Sequence, residues 1–370
     1  MKVHKRLLSL LVLFQMVTIQ SQTNKVPKLV VGIVVDQMRY DYVYKYWDKF
    51  SEKGFKKLVN EGFFCRNAVY DYFPTYTGPG HASIYSGTTP SVHGIIGNNW
   101  YDYKTKKPVY CAGDWKSQTI CFCKKPHLKE ELDAGKKSPS LLLSTTIGDE
   151  LKLKDSLSKV YSLSLKDRSA VLSGGHMADG AFWINPKGKW ITSDYYCKEM
   201  PGWINDFHKE NPIENYLKGS WELSNKKSVD LAELLKAFGP SYITSTPKGN
   251  DLILDFTKEI ISKENLGSDS HTDLLSISFS STDYIGHKYG PDSPEILSAF
   301  KLLDQNIAEL INFLENEIGE ENILVFLTSD HGVASIPTTL KSFNIPSGNV
   351  DVTAMKNKLD SLLNIEFGTM

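Results

Sequence analysis

The chain has 370 residues, 41% of them hydrophobic, with 42 Lys and Arg against 43 Asp and Glu and five cysteines. That length supplies a large core or two subdomains. The near-balanced charge excludes a nucleic-acid groove driven by bulk positive charge, and five cysteines are too few for a disulfide scaffold.

In chain order, residues 1–22 read first as a signal peptide. Lys2, Lys5 and Arg6 form a basic start, positions 7–19 are mostly apolar, and Ser21, Gln22 and Thr23 follow. The apolar run is too short and too weakly flanked for a stable membrane span, so the mature chain, residues 23–370, is expected in the periplasm or outside the cell. Removing 1–22 deletes three positive charges and no acidic ones, taking the formal charge from −1 to −4. An odd cysteine count leaves at least one thiol unpaired, while Cys111, Cys121 and Cys123 lie close enough in sequence for one bridge.

Four apolar runs read as buried strands that end in chemistry-bearing residues. They cover 29–35 before Asp36, 160–165 before Lys166, 274–279 before Asp283, and 323–327 before Asp330. The first and last are continuously apolar, as strands covered on both faces are. Between them, 293–318 repeats Ile296, Phe300, Leu303, Ile307, Leu310 and Leu314 at helical steps, and 251–263 and 352–363 read as further helices. The alternation predicts the α/β class, a three-layer α/β/α sandwich with a mainly parallel sheet. Its site is expected beyond the carboxyl ends of the strands. Two stretches differ in character and are expected to be insertions or a cap: 101–139, Lys-rich and poorly periodic, and 176–250, rich in Trp, Gly, Pro and Asn.

The candidate site residues sit at those strand ends. Asp36 follows the first strand, Asp330 and His331 follow the last, and Asp283 and His287 are four apart, aimed at one point by a helical turn. A lone Asp at a strand end is more often a helix cap; three carboxylates and two histidines at such ends are harder to explain that way. Oxygen and imidazole donors without thiolates favour zinc at a hydrolytic site, with manganese or magnesium as weaker options.

"PTYTGPGHASIYSG" (74–87) places Thr75 and Thr77 just before a helix start. A helix N-terminus stabilises an alkoxide or a phosphoryl group, and a coordinated divalent cation would activate Thr77; taken alone, the residue reads equally well as an N-cap. Asn98, in "GIIGNNW", is a neutral donor suited to a phosphoryl oxygen or else a turn residue. Lys166 and Arg168, in "SLKDRSAV", fall on the same side of an extended chain with Asp167 on the other. Two cations suit a dianionic group, though solvated loop charges are the commoner fate of such a pair.

"VVDQMRYD", "FPTYTGPGHASIYSG", "GIIGNNWYD", "SLKDRSAVL", "STDYIGHKYGP" and "SDHG" occur in this order. Together they resemble the alkaline phosphatase superfamily in its type I phosphodiesterase/nucleotide pyrophosphatase branch, nearest to the phosphate-irrepressible bacterial alkaline phosphatases with a threonine nucleophile. The resemblance runs from about Lys28 to Pro337. It implies two zinc ions: one held by Asp36, Asp330 and His331 and activating Thr77, the other held by Asp283 and His287. Asn98, Lys166 and Arg168 would then grip the phosphoryl oxygens, and Thr75 would be a turn residue. Such proteins bring a further histidine to the second zinc, and no histidine follows His331 here. The chain as given is therefore expected to be incomplete at its C-terminus, and neither His176 nor His271 is expected to substitute.

The expected function is an exported hydrolase of small-molecule phosphate monoesters acting through a phosphothreonine. Alternatives are a phosphodiesterase or nucleotide pyrophosphatase on the same site, and an inactive fragment lacking one zinc ligand. No nucleic-acid partner is expected, and the chain is expected to be monomeric.

Overall fold

The computed structural model describes residues 26–122, 129–223 and 227–368; the leader over 1–22 and Cys123 lie outside them. A seven-stranded sheet organises the chain. Its strands are β1 (Leu29–Val35), β2 (Thr119–Ile120), β3 (Val160–Ser164), β4 (Gly180–Ile184), β5 (Trp190–Ser193), β6 (Asp273–Phe279) and β7 (Ile323–Thr328). Their spatial order is β7-β1-β6-β3-β4-β5-β2. The first five in that order pair in parallel, and β5 and β2 add antiparallel at one edge. β1 lies at the functional centre, with Leu29 opposite Asp273 on one side and Ile323 on the other.

β6 is buried at every residue and β1 at all but Val30, as expected of parallel strands with helices on both faces. The flanking helices include α1 (Thr77–Ser86), α2 (Asp167–Gly174), α3 (Lys248–Lys263), α4 (Ser281–Tyr289) and α5 (Pro294–Glu317). In α5 the predicted stripe of Ile296, Phe300, Leu303, Ile307, Leu310 and Leu314 is buried throughout. The helix begins at Pro294, and the Ser293 hydroxyl accepts the Ile296 N–H, an ordinary capping arrangement. Phe300 packs against the rings of Tyr42, Tyr46 and Phe55. The helix expected near the C-terminus forms over Val352–Phe367 and is exposed along its length.

Both stretches expected to be insertions also supply sheet strands: 101–139 contributes β2, and 176–250 contributes β4 and β5. Within the second stretch, Phe182, Trp183 and Trp190 are core residues. Trp190 stacks on Phe256 of α3 at 4.1 Å between ring centroids. Large rings at a sheet edge bury as well under a helix as under a cap, so composition alone does not separate the two cases. Surface hairpins occupy Asn99–Asp102 with Lys107–Tyr110, and Ser220–Glu222 with Ser228–Asp230. Cys121 is disulfide-bonded, whereas Cys65, Cys111 and Cys197 are free. Among the described residues, no helix is long and apolar enough to cross a membrane.

One glycine sets the approach of α1 to the site. A Cβ on Gly80 would stand 2.5 Å from the Asp330 carbonyl oxygen and 2.7 Å from the Asp330 Cβ. Gly80→Ala is expected to destabilise the protein by about 1–3 kcal/mol, because overpacking against rigid backbone outweighs the better helix propensity of alanine. A lowered midpoint in chemical denaturation checks this; an unchanged midpoint would mean that the helix shifts freely.

Candidate active site

The chemistry-bearing side chains gather beyond the carboxyl ends of the parallel strands. Asp36 follows β1 directly, Lys166 comes two residues after β3, Asp283 lies in the first turn of α4 after β6, and Asp330 and His331 follow β7. Because β1 sits between β6 and β7, the three carboxylates meet despite their separation in sequence. Asp36 donates its N–H to the Phe279 carbonyl, and the Thr282 hydroxyl donates to the Asp36 carbonyl at 2.6 Å, which ties the ends of β1 and β6 together.

His331 Nε2 lies 3.4 Å from Asp36 Oδ1, 3.7 Å from Asp330 Oδ2 and 3.4 Å from Thr77 Oγ1. Ligand atoms of Asp36, Asp330 and His331 all fall within 4.8 Å of one another, and no second such group of three occurs among the described residues. Asp36 Oδ1 and Asp330 Oδ2 are buried without a hydrogen-bond partner. Unpaired buried carboxylate oxygens are energetically expensive. Two of them facing an imidazole form a donor set that fits a divalent cation. The buried imidazole of His81 also lies near Asp330 Oδ2, at 3.3 Å, but its Nδ1 is shared with the Thr77 carbonyl at 2.9 Å and its Nε2 meets Ser278 Oγ at 2.9 Å.

Asp283 and His287 form the other half, with His287 Nε2 3.1 Å from Asp283 Oδ1. The halves are joined by the buried Lys166 ammonium, 2.6 Å from Asp36 Oδ2 and 2.5 Å from Asp283 Oδ2. Burial disfavours the Lys166 charge, but Asp36 and Asp283 prevail and raise its pKa. Burial and the Asp36 charge push the Asp283 carboxyl up, yet the His287 and Lys166 contacts hold it below the usual carboxylate value. Burial likewise opposes charge at Asp330 and His331. Their mutual attraction, with His81 acting on Asp330 and Asp36 on His331, nonetheless brings Asp330 down to about 2 and His331 up to about 9.

Thr77 is buried and is the first residue of α1; the N-cap position belongs to Tyr76, which makes no side-chain cap. Thr75 precedes the helix. Asn98 Oδ1 accepts the Gly78 N–H at 2.7 Å, which orients the carboxamide beside Thr77. Lys166 and Arg168 do not alternate along a strand as expected. β3 ends at Ser164, Lys166 is the N-cap residue of α2, and Arg168 lies in its first turn, so the pair straddles a strand–helix junction. The Arg168 guanidinium is buried beside Tyr110, Asp36 and Asp167, which hold its pKa up against burial, and its Nε has no partner. His176 and His271 serve elsewhere: His176 contacts the Ser144 carbonyl, and His271 pairs with Asp155 at 2.7 Å. Sequence reasoning missed two buried contributors, His81 and Gln37. His81 was detectable as the residue one helical turn after Thr77; nothing in the sequence marked Gln37.

The sequence model of the type I phosphodiesterase/nucleotide pyrophosphatase family matches residues 30–356. The chain belongs to this family. A Myroides odoratus protein named calcium-transporting ATPase is 39% identical, covering 96% of this chain and 69% of its own length. The alkaline phosphatase PafA of Elizabethkingia meningoseptica is 40% identical, covering 98% of this chain and 70% of its own. A crystal structure of wild-type alkaline phosphatase PafA superposes with a TM-score of 0.82 at 40% identity, covering 93% of this chain and 69% of that one. This family member thus has the alkaline phosphatase-like fold and spans about 70% of the length of these relatives.

The Asp330–His331 pairing gives the ion-free protein a defined pH response. His331 rises from an ordinary 6.5 to about 9 on folding, so its stabilisation is complete below pH 6.5 and is lost as pH climbs through 9. Asp330 falls from 3.8 to about 2, so its stabilisation is present above pH 3.8 and is lost as pH falls through 2. Chelator-treated protein is expected to lose about 3 kcal/mol between neutral and alkaline pH through His331, with that slope absent in His331→Ala. Thermal melts across pH check this; an identical alkaline slope in the variant contradicts it.

Proposed function

We propose that this chain is an exported phosphatase that hydrolyses small-molecule phosphate monoesters through a covalent phosphothreonine at Thr77, with two zinc ions as cofactors. The observation that carries the reading is the placement of the Thr77 hydroxyl 3.4 Å from His331 Nε2, beside the unpaired oxygens of Asp36 and Asp330, at the start of a helix. Family membership and the alkaline phosphatase names of its relatives support it. The leader over 1–22 motivates the export.

Asp36, Asp330 and His331 would hold one ion, and Asp283 and His287 would give the other two ligands, the further histidine of such sites not occurring after His331 in this sequence. When bound, the ions lower the pKa of a coordinated hydroxyl and neutralise charge on the entering and leaving oxygens of an in-line displacement. In the first step Thr77 Oγ gives up its proton and attacks phosphorus, the bond to the ester oxygen breaks, and the leaving oxygen takes up a proton to depart as the alcohol. In the second step water attacks the phosphothreonine, the bond to Thr77 Oγ breaks, and inorganic phosphate departs. Asn98 has its Oδ1 committed to the Gly78 N–H, so its Nδ2 is the atom offered to a phosphoryl oxygen. Arg168, buried with Nε unpartnered, offers a planar donor fork. Lys166 exchanges a carboxylate for a phosphoryl oxygen. Two cations favour the monoester dianion, which carries more terminal charge than a diester; the transition state needs positioning and charge stabilisation more than covalent help.

Acid quenching during turnover is expected to trap phosphate on Thr77, identified by peptide mass spectrometry, with Thr77→Ala trapping none. Its absence from the wild-type protein under conditions of turnover contradicts the covalent route. Replacing Lys166 and Arg168 together by alanine is expected to lower hydrolysis of an aryl phosphate roughly 100-fold more than that of an aryl methyl phosphodiester. Equal losses would sink the monoester preference, and faster wild-type turnover of the diester would favour the phosphodiesterase activity in the family's name. Zinc analysis of the purified protein, expected to give two ions per chain, tests the cofactor assignment.

A further inference from the structure

Gln37 immediately follows the Asp36 carboxylate and is only 3% exposed. Its backbone is left-handed, with φ 65°, a conformation that a residue with a side chain adopts reluctantly. This turn sends its two donors in different directions. The Gln37 N–H donates to Asp330 Oδ1 at 3.1 Å, and the carboxamide Nε2 donates to Asp283 Oδ1 at 2.7 Å. Because an ionised carboxylate only accepts hydrogen bonds, contact with Asp283 fixes which end of the amide faces it. Room for the amide comes from Gly286, one turn along from Asp283 on α4. A Cβ there would stand 1.9 Å from Gln37 Oε1.

We propose that Gln37 is a positioning residue that sets the Asp283 carboxylate for the second metal ion. The inference rests on the two-ion reading above. Lys166 holds the same carboxylate by charge and so competes with any cation that Asp283 binds. Gln37 is a neutral donor: it fixes the carboxylate's orientation yet leaves its charge and remaining lone pairs available. Its side chain is not what joins the two strands, since the Asp36–Phe279 and Thr282–Asp36 bonds already do so. The left-handed backbone allows one residue to reach ligands of both ions.

The test is zinc titration of the full chain against a chromophoric chelator, comparing wild type, Gln37→Gly, Gln37→Met, Gly286→Ala and the Gln37→Gly/Gly286→Ala double variant. Gln37→Gly accepts the left-handed backbone and keeps the N–H bond to Asp330; Gln37→Met keeps the bulk and loses the donor. Both are expected to weaken the looser zinc-binding step about 10- to 100-fold. The tighter step and the melting temperature of the chelator-treated protein should move little in Gln37→Gly. Gly286→Ala should weaken the same step in the wild-type background and add almost nothing in the Gln37→Gly background, because the amide it displaces is already gone. Wild-type zinc binding in both Gln37 variants overturns the inference, as does loss of both steps in parallel with the melting temperature, which would mark a purely structural role. A wild-type protein with no second zinc overturns the two-ion reading and this inference together.

Discussion

Three carboxylates, Asp36, Asp283 and Asp330, are forced together at the buried ends of parallel strands, and the surrounding structure is organised by the need to neutralise them. Two like charges about 4 Å apart repel by about 4 kcal/mol at an effective dielectric of 20, an energy comparable to a large share of a domain's net stability. The chain answers with the Lys166 ammonium between Asp36 and Asp283 and the His331 imidazole beside Asp36 and Asp330. Neutral donors complete the set: the two from Gln37, and the His331 N–H to Asp330 Oδ1. The compensation is incomplete, since one oxygen each of Asp36 and Asp330 stays unpaired. Two unpaired buried carboxylate oxygens beside an imidazole, left over after the chain's own cations are placed, form a donor set that fits a divalent cation.

The fold makes that cluster possible through strand order rather than sequence proximity. β1 lies between β6 and β7, so the residues that leave these three strands share one rim of the sheet. Glycines then set how closely the helices approach. Gly80 lets α1 rest against the Asp330 backbone, and Gly286 lets α4 pass over the Gln37 amide. An added carbon at Gly80 would meet the Asp330 backbone, and one at Gly286 would meet the end of the Gln37 side chain, so both glycines shape the site.

Much of this was legible because strand ends carry the chemistry. The apolar runs before Asp36, Asp283 and Asp330 gave the sheet and its working rim together, and the stripe from Ile296 to Leu314 gave α5. Lys166 was misplaced locally: the hydrophobic run suggested a strand through Leu165, but β3 ends at Ser164 and helical geometry then separates Lys166 from Arg168. Its grip on the Asp36 and Asp283 carboxylates is a long-range contact that no local pattern encodes. Gln37 was invisible for a related reason. A polar residue after a strand-end aspartate reads as a turn, and only the packed α4 and the opposed Asp330 show that its backbone and side chain are both committed. The stretch 176–250 read as an insertion or a cap from its Trp, Gly, Pro and Asn content, and composition does not say which element buries the rings that fall in β4 and β5.

Lys166 and Arg168 divide their work according to where the helix begins. Lys166, at the N-cap of α2, is still extended, with φ −99° and ψ 129°, and its side chain runs to the shared carboxylates. Arg168, in the first turn, lies instead among Tyr110, Asp36 and Asp167. Lys166 is therefore ion-paired directly with Asp36 and Asp283, whereas Arg168 feels Asp36 only through charge. Under the proposed reading, a phosphoryl group would meet Arg168 without breaking a direct ion pair to Asp283, but would gain Lys166 only as Asp283 gave it up to a metal ion. On that reading the ammonium would couple the two occupancies, because a metal ion on Asp283 would release the cation that a phosphoryl group would use.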